Sequence, residues 1–309
     1  MPRELCQLHL DRRALRKPLV AAVRNVSFGL LVVLTLAIFW IPLTTLIKFS
    51  FQHEHYSHII LIPLISAALL VLERKDILSR VEPNRLIGFA LLGAGVLSYL
   101  LGRRTPSSLS ENDQLSAAIL AFLVTVVGGF VLCYGRRAVR SALFPLLFLF
   151  LMVPIPDSLL SRVITWLQTG SAEVSAAMFE LIGVPVFRTG FIFSLPGVTV
   201  EIAEQCSGIR SSLALLITSL LAGHFMLQSV WAKAALALAT LPLLIVKNGI
   251  RIVSLSLLSI YVDPRFLSGS LHHQGGIVFF ILALILLAPV LWLLQRAERS
   301  SRTSAGLHA

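Results

Sequence analysis

Residues 277–294 read IVFFILALILLAPVLWLL, with no charged side chain. A run of roughly 18 apolar residues is long enough to cross the hydrocarbon core of a bilayer as a helix. The chain holds several such blocks. Of its 309 residues 56% are hydrophobic and only 13% charged, where a soluble domain carries about 25% charged residues. The expected fold class is therefore an all-α integral membrane protein. Eight candidate spans lie near 26–49, 58–73, 86–102, 114–134, 139–154, 208–228, 234–261 and 275–295, the second and fifth being short.

The net charge of +11 would suggest a nucleic-acid partner in a soluble protein. Here the basic residues orient the spans instead, and no nucleic-acid partner is expected. Of the 26 Lys and Arg, 17 fall at the N-terminus, the C-terminus and every second connection. By the positive-inside rule those ends are cytoplasmic, and both termini with them. Six lie in the opposite connections, and Arg210, Lys247 and Arg251 lie within spans. The opening MPRELCQLHLDRRALRKP precedes an apolar segment too long for a signal peptide, and reads as the start of an uncleaved first span. The expected division is a basic cytoplasmic N-terminus at 1–25, a transmembrane domain at 26–295 with an extracytoplasmic segment at 154–206, and a cytoplasmic tail at 296–309. That tail, ending ERSSRTSAGLHA, has the composition of a disordered one.

The extracytoplasmic segment opens with VPIPDSLL, whose prolines end the fifth span. SRVITWLQTGSAEVSAAMFELIG follows with helical spacing of its apolar residues, as in a helix lying against the bilayer. VPVFRTGFIFSLPGVTVEIAEQC is rich in Val, Ile and Phe. It breaks at Gly190 and at Pro196-Gly197, which predicts a small β-hairpin leading into the sixth span.

Three polar features stand out. Cys206, in EIAEQCSGIRSS (201–212), sits where the hairpin meets the sixth span, with Ser207 as a candidate N-cap. A thiol at a helix N-terminus is biased toward thiolate, and Arg210, four residues on, would add positive charge on the same face. Glu201 and Glu204 can position basic partners. The plain alternative is a buried, inert cysteine, as assigned to Cys133. Arg251, in VKNGIRIVSLSLL, is a charge inside a span and so a functional candidate. It lies about 27 Å along the seventh helix from Lys233, near the outer surface, at 1.5 Å per residue. Lys247 is one turn deeper on the same face, and Asn248 beside it is a supporting candidate. The alternative for Arg251 is snorkelling to headgroups. His272-His273, in SGSLHHQGGIVFF, open the eighth span and suit general acid–base work, unless they are solvated loop residues. The topology brings all three features to the outer face. Cys with His builds a nucleophile, and an arginine can hold an oxyanion. The remaining cysteines, Cys6 and Cys133, form no CxxC pair, which leaves a zinc ribbon or disulfide framework unsupported.

With these blocks the chain resembles the exosortase/archaeosortase family of membrane transpeptidases. The matching stretches are EIAEQCSGIRSS, NGIRIVSL and HHQGGIVFF, supported by YSHIILIPLISAALL (56–70), LMVPIP (151–156) and GVPVFRTGFIFSLPG (183–197), all in the family's order. The resemblance implies a catalytic Cys, Arg and His, carried here onto Cys206, Arg251 and His272. The family's histidine precedes a glycine by four residues. Counting back from Gly276 gives His272, with His273 as the adjacent alternative. Gly276 is followed by Ile277 where the family usually has an aromatic.

The resemblance further implies a cysteine peptidase or transpeptidase of the bacterial inner membrane. Its partners would be the lipid bilayer and secreted proteins with a C-terminal sorting signal, made of a Pro-Glu-Pro type motif, a span and a basic tail. The product would pass through an acyl-enzyme on the cysteine. No cofactor is expected, and no metal. The histidines of QHEHYSH (His53, His55, His58) read as part of the outer rim. The competing readings are a polytopic transporter using Lys247 and Arg251 to bind an anion, and a non-catalytic assembly protein for exopolysaccharide export.

Overall fold

A computed structural model describes residues 2–52, 54–79, 81–104, 108–203, 208–266 and 276–306. The chain forms two compact units, Met1–Asp157 and Ser158–Ala309. Both are built almost wholly of helix.

The first unit opens with α1 (Pro2–Ile38) and α2 (Trp40–Gln52). The first span, expected at 26–49, is thus split. Pro42 has no N–H to give the carbonyl of Ile38, and α1 ends at that residue. The apolar part of α1 covers Leu19–Ile38. A 3-10 turn, Glu54–Ile60, leads to α3 (Leu61–Leu72), α4 (Arg74–Leu78), α5 (Arg85–Arg104), α6 (Glu111–Ser141) and α7 (Leu143–Leu149). Ser110 caps α6, its side chain accepting from Asp113 N at 3.1 Å. Helices α5 and α6 approach closely across small residues: a Cβ on Gly128 would lie 2.5 Å from Leu92 N.

Helix α6 breaks at Gly135, whose φ of 82° is closed to most side chains. Glu82 N donates to Tyr134 O there at 3.2 Å, and a Cβ on Gly135 would overlap Glu82 O at 1.6 Å. The kink therefore ends the long apolar stretch where the sequence places Arg136, Arg137 and Arg140. Cys133 is buried among Phe130, Tyr134, Ile77, Ala138 and Leu146, as an inert cysteine should be.

At the unit's end, prolines at 154 and 156 stop α7 and its 3-10 extension. The carbonyls they leave are met by side chains. Ser116 Oγ donates to Pro154 O at 2.8 Å. Asn112 Nδ2 donates to Ile155 O at 2.8 Å and to Asp157 Oδ1 at 2.7 Å. Tyr56 OH donates to Ile155 O at 3.3 Å.

The second unit begins with α8 (Asp157–Ile182), which buries Leu167, Gln168, Ser171, Ala172, Ser175 and Phe179 on one stripe. Three short strands follow: β1 (Phe187–Thr189), β2 (Ile192–Leu195) and β3 (Val198–Glu201). They form an antiparallel meander in the order β1-β2-β3, one strand more than the hairpin expected. Both sequence breaks are its turns. Gly190 takes φ 63° in the first two-residue loop, and Gly197, after Pro196, takes φ 80° in the second. Phe193 is fully buried against Phe179, and the core continues through Ile202 to Ile252 and Val253.

Helices α9 (Ile209–Met226), α10 (Val230–Tyr261) and α11 (Gly276–Gly306) complete the unit. They pack through Leu215, Leu236, Leu244, Ala283 and Leu287. The tail expected to be disordered is helical as far as Gly306. Residues 296–305 contain neither Gly nor Pro, so the helix nucleated in the apolar stretch propagates through them.

Among the described residues six helices are long and apolar enough to cross a membrane: Leu19–Ile38, Arg85–Arg104, Glu111–Ser141, Ile209–Met226, Val230–Tyr261 and Gly276–Ser301. The pair Leu143–Met152 and Asp157–Ile182 passes only if counted together, and Tyr56–Leu72 is an apolar helix below that length. The chain is a multi-pass membrane protein. The two segments short of a full span are the two shortest of the sequence reading.

Candidate active site

The site is built from α8, the first turn of α9 and the second half of α10. Helix α10 carries Lys247 and Asn248 into the interior, each 1% exposed. Asn248 Nδ2 donates to Ser171 Oγ of α8 at 2.9 Å. Gly249, next to it, has no side chain because Val174 of α8 is there; a Cβ would lie 2.6 Å from Val174 Cγ1. Lys247 Nζ donates to Ser211 Oγ of α9.

Gly208 opens α9. It is the N-cap residue and takes φ 76°, in the left-handed region. It lies flat against α10: a Cβ would stand 2.9 Å from Asn248 Oδ1 and 3.2 Å from Lys247 Nζ. The N-cap is therefore Gly208 and not Ser207, which lies outside the described residues. Glycine is required because the position combines positive φ with close approach of two side chains. The carbonyl of Gly208 accepts from Ser212 N at 2.9 Å, Ser212 Oγ at 2.8 Å and Ser211 Oγ at 3.0 Å.

The segment leading to Gly208 is anchored from the other side. Ile202 N donates to Phe191 O at 2.9 Å, and Ile202 O accepts from the buried Gln168 Nε2 of α8 at 2.8 Å. Cys206 and Glu204 fall between these two anchors and lie outside the described residues, as do His272 and His273. The chain is thus pinned at Ile202, four residues before Cys206, and at Gly208, two residues after it.

Arg251 is one turn beyond Lys247 on α10 and half-buried. Its guanidinium lies 6.0 Å from the ring centroid of Phe279 in α11, at the limit of a cation–π contact. Phe279 stands three residues into the helix that the histidine pair precedes. Arg251 therefore joins α10 to the start of α11.

The supporting candidates Arg210 and Glu201 are among the described residues. Helix α9 begins at Ile209, and Arg210 is its second residue. Arg210 is exposed. Glu201 ends β3 and is also exposed, with its β2 partner Ile192 across the ladder. Arg188, in β1, pairs with Glu173 at 3.0 Å and is set over Phe193. Sequence reasoning missed Ser171, Gln168 and Ser211. Their only signal was small polar residues recurring in otherwise apolar helices. Among the described residues no group of three or more His, Cys, Asp or Glu gathers to hold a metal.

Lys247 and, one turn on, the half-buried Arg251 stand on one face of α10; with Lys247 next to the positive end of α9 they favour a negative charge at that point. A thiolate, a carboxylate or a tetrahedral oxyanion would each suit it. No curated protein and no solved structure matches the chain. The model of the transmembrane exosortase family matches residues 50–289, a range that takes in every one of these groups, and the chain belongs to that family.

Proposed function

We propose that this exosortase is a cysteine transpeptidase that cleaves secreted proteins at a C-terminal sorting signal. Cys206 is the nucleophile, Arg251 the oxyanion partner and His272 the acid–base, with His273 as the adjacent alternative. The observation that carries the reading is the seating of Gly208 against Lys247 and Asn248, with Arg251 one turn further along α10. Gly208 follows Cys206 by two residues, and Arg251 touches the helix that His272 precedes.

The thiolate attacks the carbonyl carbon of the scissile peptide. The oxyanion formed there is held by Arg251. His272 gives its proton to the leaving amine, the C–N bond breaks, and a thioester remains on Cys206. His272 then takes a proton from the incoming nucleophile, which displaces the thiol. No step needs a cofactor. The preferred substrate carries a Pro-containing motif followed by a span and a basic tail. Eight spans, cytoplasmic termini and an extracytoplasmic 154–206 segment in the bacterial inner membrane set Cys206 beside the outer end of such a span.

The test is a co-expressed reporter bearing that signal. Wild type should shorten it, Cys206→Ala should leave it whole, and mass spectrometry of wild type should find a hydroxylamine-labile adduct on Cys206. Normal processing by Cys206→Ala would end the reading. Separate His272→Ala and His273→Ala variants identify the base.

A further inference from the structure

Lys247 has no role in the chemistry above, yet its placement is costly. Removing an ammonium from water costs several kcal/mol, and Lys247 is 1% exposed. Arg251 lies four residues on along the same helix, and like charges at that spacing repel. A methionine would fill the same volume without either penalty. What methionine lacks is a donor, and Lys247 Nζ donates to Ser211 Oγ. Ser211 Oγ in turn donates to Gly208 O at 3.0 Å. A cation on α10 is thereby linked through one hydroxyl to the carbonyl of the residue that opens α9. Nζ also stands 3.2 Å from where a Gly208 side chain would begin.

We infer that Lys247 is a positioning residue: its charge, acting through Ser211, fixes Gly208 and so sets the backbone from which the Cys206 segment departs. The inference rests on the proposed role of Cys206. It adds to that role the requirement for a second cation, which acts on the cysteine segment and does not touch the substrate.

The experiment uses the full chain in native membranes with Cys6→Ser and Cys133→Ala, so that iodoacetamide reports on Cys206 alone. Lys247→Met should slow alkylation about tenfold, because the cysteine segment loses the anchor that Lys247 and Ser211 give it at Gly208. Lys247→Arg keeps the charge and should stay within about threefold. Ser211→Ala cuts the link and should slow the reaction by less than Lys247→Met does. A parental rate in Lys247→Met, or equal losses in the Arg and Met variants, would overturn the inference. Should Lys247→Met fail to accumulate, Ser211→Ala decides, and an unchanged rate there overturns it. Alkylation does not depend on turnover. Processing that survives Cys206→Ala would therefore remove the proposed function and leave the Lys247 measurement standing.

Discussion

Each unit buries one cluster of polar side chains, and the two clusters differ in how they are satisfied. In the first unit Tyr56, Asn112 and Ser116 direct their donors at the carbonyls of Pro154 and Ile155. These neutral donors serve backbone that the prolines at 154 and 156 left without helical partners, and Asn112 also donates to Asp157 Oδ1 at the start of α8. In the second unit side chain meets side chain, Asn248 with Ser171 and Lys247 with Ser211, and one member is a cation. A cluster that closes on its own backbone accounts for itself as structure. A cluster that buries a charge beside a left-handed glycine does not, because the same helices would pack more cheaply with apolar residues there. The first arrangement holds a bend; the second holds a buried cation against the glycine that opens α9.

The sharpest way to break this comparison is Arg251→Ala. If the second cluster serves chemistry, turnover of the reporter should fall about 10²- to 10³-fold, as for other oxyanion donors. Thermal stability in detergent should change little, since Arg251 is half-buried at the edge of the polar face. A large fall in stability with normal turnover per folded molecule would make the second cluster structural too.

Gly135→Ala should give the opposite result. The new Cβ would overlap Glu82 O at 1.6 Å, at a residue whose φ is 82°. Strain at such a residue together with overpacking costs more than about 3 kcal/mol. We predict poor accumulation in the membrane, measured by quantitative immunoblot, with Cys206 of the surviving protein alkylated at the parental rate. Asn112→Ala is the milder form of the same test. It leaves Ile155 O and Asp157 Oδ1 without their short partners and should lower stability by about 1–3 kcal/mol, read as a fall in melting temperature with turnover per folded molecule unchanged.

These contrasts also mark what the sequence made legible. Apolar block length showed that the chain crosses a membrane, and the tight turns were written in Gly190 and Pro196-Gly197. The burial of Cys133 followed from its apolar neighbours. Features that depend on a partner distant in the chain were not legible. Gly135 looks like any helical glycine until Glu82 is beside it. Ser207 is the better N-cap by type, yet Gly208 takes the position because Lys247 and Asn248 leave no room for a side chain. Pro42 was visible, but a proline near a helix start and one that splits a span read alike until the carbonyl it fails to serve is known.

The smallest expected effect tests the boundary between the two kinds of polar contact. Arg137 and Glu82 form an ion pair across the Gly135 kink, and their side chains are 56% and 60% exposed. Exposed pairs contribute about 0–1 kcal/mol, and here the kink is already held by the bond from Glu82 N to Tyr134 O. Glu82→Gln removes the charge while keeping the backbone bond, and it leaves Arg136, Arg137 and Arg140 in place. Its melting temperature should stay close to the parent's, and raising salt from 0.1 M to 1 M should shift parent and variant alike, because the charge it deletes is already screened by water. A shift as large as that of Asn112→Ala would mean that a cation's ion pair can be structural in the first unit. The cation at Lys247 would then lose its standing as the mark that separates the second cluster from the first.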